Sequence, residues 1–222
     1  MKKTFAVLAL AVLGIALVAA SAGAFPDAAR STKMSCATCH SNVAGGADLT
    51  DAGKAFKSDK KVPAASVEGT EYSGTASCRK CHSKYVKAWG ETDHAKALSV
   101  LTSADPKRVG EIAALLKVTL KGPADKEDAC LNCHVVGFHL TGGFPAADTS
   151  KVESVSNVGC ENCHGPGAKH IAIPKEEKDA EKAAINGKVT EVMCKNCHTP
   201  EMSPKFNFEE YKKKGVHVIP TE

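Results

Sequence analysis

Cys36-Ala-Thr-Cys39-His40, Cys78-Arg-Lys-Cys81-His82, Cys130-Leu-Asn-Cys133-His134, Cys160-Glu-Asn-Cys163-His164 and Cys194-Lys-Asn-Cys197-His198 are five copies of one pattern. In each, two cysteines stand three positions apart and a histidine follows the second. All ten cysteines of the 222-residue chain fall in these runs, and none is left over.

The spacing has a chemical reading. Two thiols three positions apart reach the two vinyl groups of one haem and form thioethers. The histidine that follows lies under the porphyrin and binds iron as the proximal ligand. A zinc ribbon pairs its C-x-x-C units but needs no histidine after each one. A redox dithiol motif occurs once, not five times. The cofactor expectation is five covalently bound haem c groups. Cys36, Cys39, Cys78, Cys81, Cys130, Cys133, Cys160, Cys163, Cys194 and Cys197 are the attachment points. His40, His82, His134, His164 and His198 are the proximal iron ligands.

The start of the chain sets the compartment. Lys2 and Lys3 precede an apolar run from Phe5 to Ala20, and Ala22-Gly23-Ala24 forms an A-x-A site before Phe25. This is the three-part pattern of a secretory signal peptide. The run is shorter than the roughly 20 residues of a spanning helix. Residues 1–24 are therefore expected to be removed, leaving a periplasmic or extracellular protein with no transmembrane anchor. Secretion is also the setting in which many cysteines would ordinarily mean disulfides, a reading their pairing with histidine displaces.

Aromatic residues make up only 5% of the chain, so side chains alone supply little core. Large apolar haems would fill the interior instead. The fold class expected is mainly α with much irregular loop, cored by haem, with little or no sheet. Formal charge is +4 from 29 Lys and Arg against 25 Asp and Glu, and about +2 once Lys2 and Lys3 leave with the leader. Ten haem propionates would bring the oxidised protein to roughly −3 and the reduced protein to roughly −8. The basic sequence pI of 8.5 therefore does not argue for a nucleic-acid partner, and no basic stripe with interleaved aromatics occurs.

Residues 25–71 are read as an N-terminal single-haem segment and linker, and 72–222 as a tetrahaem domain. A helix is expected over 49–60, capped by Thr50 or Asp51. Another is expected over 83–101, carrying Tyr85, Trp89 and His94. Pro106 opens a third that closes by Gly122-Pro123. Residues 174–185 and 207–214 complete the set. Gly142-Gly143-Phe144-Pro145 and Gly165-Pro166-Gly167 are turns. Asp93, Glu161 and Lys169 read as exposed charges beside the motifs.

Nine histidines are present. Beyond the five proximal ones, His94, His139, His170 and His217 are the candidate sixth ligands. Ten axial positions cannot be filled by nine histidines, so at least one iron has another neighbour or an open site. Met34, Met193 and Met202 lie close to motifs and read as packing groups. His139 stands five residues after His134, too close to wrap round its own haem. It is expected to cap a neighbouring haem, that of His40, with its own haem, that of His134, as the alternative.

From Tyr72 onward the chain resembles the tetrahaem cytochrome c-554 family. The resemblance rests on Cys78-Arg-Lys-Cys-His82 with Trp89 and His94-Ala-Lys-Ala-Leu98 behind it. It continues in Cys130-Leu-Asn-Cys-His134-Val-Val-Gly-Phe138 with Gly142-Gly143-Phe144, and in Val158-Gly-Cys-Glu-Asn-Cys-His-Gly-Pro-Gly167. It implies a mostly helical protein with closely packed haem pairs. It implies His94 over the haem of His164, His170 over that of His82 and His217 over that of His198, with the haem of His134 lacking a sixth protein ligand. The first motif lies outside the resemblance. Three functional classes follow: an electron carrier between redox protein partners, a reductase of nitric oxide, hydroxylamine or a similar small molecule at an open haem, and a self-associating subunit of a conducting filament.

Overall fold

A computed structural model of the chain describes residues 28–29, 32–63 and 68–214. The expected leader, part of the expected linker and His217 lie outside the described residues. The described chain is helical, in short pieces: α1 (Cys36–Cys39), α2 (Asp51–Asp59), α3 (Thr75–Gly90), α4 (Ala97–Thr102), α5 (Pro106–Leu116), α6 (Asp128–His134), α7 (Val152–Val155), α8 (Cys160–His164), α9 (Ala168–Ala172), α10 (Lys178–Ala183), α11 (Glu191–Cys194) and α12 (Phe208–Lys214). Turns of 3-10 helix occupy Asp93–Lys96, Ala124–Lys126 and Thr149–Lys151. Among the described residues there is no strand, only a lone bridge between His40 and Leu49.

Local chemistry explains where several helices start. The Thr50 hydroxyl accepts from Gly53 N and caps α2, and the Asp105 carboxylate accepts from Lys107 N ahead of Pro106 in α5. Both are the side-chain caps that leave an orphan helical N–H satisfied. α5 stops at Leu116, with Lys117 in the left-handed conformation, well short of Gly122-Pro123. The expected helix over 174–185 shrinks to α10.

The expected helix over 83–101 is broken. α3 begins earlier, at Thr75, and ends at Gly90. A 3-10 turn at Asp93–Lys96 and then α4 follow. The break is held from across the fold. Trp89 Nε1 donates to Val158 O at 2.9 Å, and Val158 N donates to His94 O at 3.2 Å. Asn157 Oδ1 accepts from Leu98 N at 3.0 Å, capping α4 from a distant segment.

Among the described residues the polypeptide builds two small apolar clusters. One joins Tyr72, Val136 and Val155, and the other joins Leu131, Val135 and Phe138. Five of the twelve buried apolar residues are alanines. Such clusters remove too little apolar surface to offset the chain entropy of a domain this size. A large apolar group is needed to complete the interior.

The N-terminal segment folds onto the rest. A Cβ on Gly53 would strike the Cys39 carbonyl, so α2 lies directly on the first motif. Gly165, at φ +84, would bring a Cβ to 2.9 Å from the Val43 backbone. Only glycine takes that conformation freely and leaves that room.

Candidate haem-attachment centres

Each motif takes a helical turn at its cysteines. Residues three apart then share one face, which aims both sulfurs to the same side. α1, α6, α8 and α3 carry four of the motifs, and α11 ends on Cys194 of the fifth. In α3 the helix kinks at His82 (φ −115, ψ 40), turning that ring away from the helix axis.

The sulfurs of different motifs meet in pairs. The sulfurs of Cys78 and Cys160 lie close together, as do those of Cys133 and Cys197. Cys163 lies near Cys194. The second motif is thus seated against the fourth, the third against the fifth, and the fourth near the fifth. No disulfide joins the ten cysteines. Burial pushes Cys36 and Cys163 up to about 12.

Hydrogen bonds set which ring nitrogen of the histidines is free. His134 Nδ1 donates to Ala97 O at 2.7 Å, His164 Nδ1 to Asn186 O at 2.6 Å and His170 Nδ1 to Glu181 O at 2.8 Å. A carbonyl can only accept, so Nδ1 carries the proton in all three and Nε2 keeps its lone pair for a metal. His198 Nδ1 lies 2.9 Å from Ser203 Oγ. Burial first, and then the charge of His94, hold His198 below the ordinary histidine value, which favours the neutral ring that ligation requires. His40 Nδ1 is buried and makes no hydrogen bond within the protein.

Two pairs of rings face each other. The centroids of His82 and His170 are 6.3 Å apart with planes 19° apart, and those of His94 and His198 are 6.0 Å apart with planes 53° apart. Metal–imidazole bonds of about 2 Å on both sides of one ion, plus roughly 1 Å from each nitrogen to its ring centre, require about 6 Å between centres. Both separations match that requirement. The His82–His170 pairing is the one the resemblance implied. The second, His94 facing His198, is a pair that the resemblance does not imply. The break after α3 and the clamp at Val158 aim His94 that way.

His139 is placed elsewhere. Its ring is half-exposed, packs on Phe138 at 4.0 Å and turns Nε2 to Asp128 Oδ2 at 3.7 Å. Its backbone takes the left-handed conformation (φ +59) and its N–H donates to Phe144 O at 2.7 Å, so the turn after the third motif fixes its direction.

Two residues matter more than their sequence context suggests. Asn186 lies in an Asn-Gly pair that reads as a helix stop, yet it is buried at 7% exposure. Besides receiving the His164 proton, it donates through Nδ2 to Cys163 O at 3.3 Å and lies 3.5 Å from Met193 Sδ. Its Oδ1 accepts from Asn42 Nδ2 at 3.4 Å. Glu161, expected as an exposed charge, is 4% exposed. It sits between the cysteines of the fourth motif because three backbone N–H groups converge on it.

The donor sets fit covalently attached haem: five cysteine pairs on helical turns, each followed by a histidine, with the ring proton held at Nδ1 of His134 and His164. Among the described residues, no three His, Cys, Asp or Glu side chains converge as a zinc centre would require. His217 lies outside the described residues.

Comparison with known proteins agrees with this geometry. The family model described as cytochrome c554 and c-prime matches residues 77–165. The cytochrome c-554 of Nitrosomonas europaea is 34% identical over 96 residues, which cover 43% of this chain and 39% of that protein. The match thus spans about two fifths of that relative. The solved structure of the reduced state of cytochrome c554 from the same organism superimposes with a TM-score of 0.51 at 25% identity, over 67% of this chain and 86% of that one. The first and fifth motifs lie outside the matched residues 77–165. Through that segment, which carries the second, third and fourth motifs, the chain is similar to the cytochrome c554 and c-prime family.

Proposed function

We propose that this chain is an exported pentahaem c-type cytochrome that passes electrons along closely set haems between redox protein partners. The observation that carries the reading is the pair of facing histidines, His82 with His170 and His94 with His198, each above a thioether-type motif and each at metal-bridging separation. Two imidazoles on one iron leave no place for a substrate, which suits electron transfer. The haem supplies the redox centre, and the chain fixes its spacing, orientation and surroundings. The sulfur contacts support a spatial order that differs from the order in sequence. The second motif adjoins the fourth, the fourth the fifth, and the fifth the third.

With His94 facing His198, His217 is the histidine proposed for the iron of His164. Export rests on the leader pattern before Phe25. No helix among the described residues is long and apolar enough to cross a membrane. Intact mass of the exported protein tests the count. It should exceed that of the chain from Phe25 by five haem masses, with no free thiol. Fewer than five, accompanied by disulfides, would sink the proposal.

A second reading, reduction of a small oxidant at an open haem, is favoured by the ligand count and by the placement of His139. With Nε2 turned to Asp128, His139 is not in position to fill an axial site, so two irons would lack a second histidine. The proposed pair is His40 and His134. Ferric electron paramagnetic resonance should then show two haems without bis-histidine signals in both wild type and His139→Ala. One such haem in wild type and two in the variant would assign His139 to iron.

A further inference from the structure

Glu161 occupies the first variable position of Cys160-Glu-Asn-Cys163-His164, yet it serves a different motif. Its Oε1 accepts from Ser73 N at 2.8 Å and from Gly167 N at 2.7 Å, and its Oε2 accepts from Gly74 N at 2.8 Å. Ser73 and Gly74 lead directly into α3, which bears Cys78, Cys81 and His82. Gly167 is the residue before α9, which bears His170. The two strands of backbone that meet at this carboxylate are also joined by Ala168 N to Glu71 O at 3.3 Å and Lys169 N to Gly69 O at 3.1 Å.

We propose that Glu161 is the positioning residue of the His82–His170 axial pair: one buried carboxylate ties the start of the helix that carries one imidazole to the start of the helix that carries the other. The inference rests on the reading of those two histidines as ligands of one iron. The physical case is the acceptor count. Three donors converge on a group with no proton of its own, and hydrogen bonds to a buried ionised acceptor are stronger than those between neutral groups. Burial raises this carboxyl above its usual value while the three N–H groups pull it back, so the donors partly offset the burial cost. A glutamine would keep one oxygen and turn an NH2 against a backbone donor: with the oxygen at Oε1 it loses Gly74 N, one of the two ties to the start of α3, and with the oxygen at Oε2 it loses Ser73 N and Gly167 N, and with the latter the tie to α9.

The test is made on the haem-loaded protein. His170→Ala first identifies the signal, since it should convert one low-spin ferric haem to high spin. Glu161→Gln should then shift the g-values of that haem, whose shape reports the angle between the imidazole planes, now 19°. It should also raise the haem's reduction potential by about tenfold in the equilibrium constant, or about 59 mV for one electron. The signal of the His94–His198 haem should stay unchanged. Gly167→Ala provides a second variant should Glu161→Gln fail to mature. A Cβ at Gly167 would stand 3.1 Å from Glu161 Oε1 and crowd the carboxylate from the His170 side, shifting the same signal by less. If neither variant moves the haem that His170→Ala removes, the positioning role is overturned while the ligand pair stands. If His170→Ala leaves the low-spin count unchanged, it is the ligand reading that fails.

Discussion

At His164 the ring proton goes to the Asn186 carbonyl at 2.6 Å, and the Asn186 side chain holds that carbonyl in place by binding Cys163 O. A firmly held acceptor at Nδ1 makes the imidazole more basic at Nε2 and favours ferric iron. Asn186→Leu keeps the carbonyl and removes the clasp. The haem of His164 is expected to rise in potential, by about tenfold in its reduction equilibrium, with the other four unmoved in a spectroelectrochemical titration. Loss of the buried donors should also cost about 1–3 kcal/mol in thermal unfolding. An unchanged set of five potentials would show that the side chain is packing alone. Asn186 and Glu161 share a reason for being hard to see in sequence. A polar residue next to glycine, or between two cysteines, reads as surface, and only the distant backbone that converges on it makes it interior.

Helices here were legible where their signals are local. Thr50 and Asp105 cap α2 and α5 as their side chains dictate, and Pro106 stands where it is tolerated. The stops were less legible, and the break between α3 and α4 was missed. Nothing in Ala88-Trp-Gly-Glu-Thr-Asp-His94 forbids a continuous helix, since its one glycine is tolerated at a cost of about 1 kcal/mol. The break depends on Val158, which takes the Trp89 N–H and donates to His94 O. That clamp fixes the backbone at His94, whose ring faces His198. Trp89→Phe removes the bond to Val158 and keeps the ring. It should cost about 1 kcal/mol of stability and loosen the 93–96 turn. The ferric signal of the His94–His198 haem should broaden or change its g-values while that of the His82–His170 haem stays fixed. A change confined to stability would mean that the turn holds its shape without the indole.

On the scale of the whole molecule, the five motifs announced the cofactor and its count as an expectation, but not how the copies are arranged. Sequence order runs from first to fifth, whereas the sulfurs meet as second with fourth and third with fifth. That arrangement needs loops folded by packing around a group the sequence represents only by its attachment points. The N-terminal segment poses the same question of assembly. It reads as a separate single-haem unit, and its own contacts are local: Thr50 Oγ1 donates to Thr38 O at 2.9 Å and α2 lies on Cys39. Its ties to the remainder include Val43 against Gly165, Asn42 with Asn186 at 3.4 Å, and the carbonyls of Gly69 and Glu71, which accept from Lys169 N at 3.1 Å and Ala168 N at 3.3 Å. A chain carrying the leader but lacking residues 25–71 should therefore mature with four haems. Its unfolding should be weakened by about 1–2 kcal/mol, or roughly 2–8 °C. Because Asn42 is lost from Oδ1 of Asn186, and Gly69 O and Glu71 O from the backbone leading to His170, the haems expected to change their ferric signals are those of His164 and of the His82–His170 pair. Intact mass and electron paramagnetic resonance read both outcomes. Fewer than four haems would mean that the first haem is part of a single shared core and that residues 72–222 are not a domain in their own right.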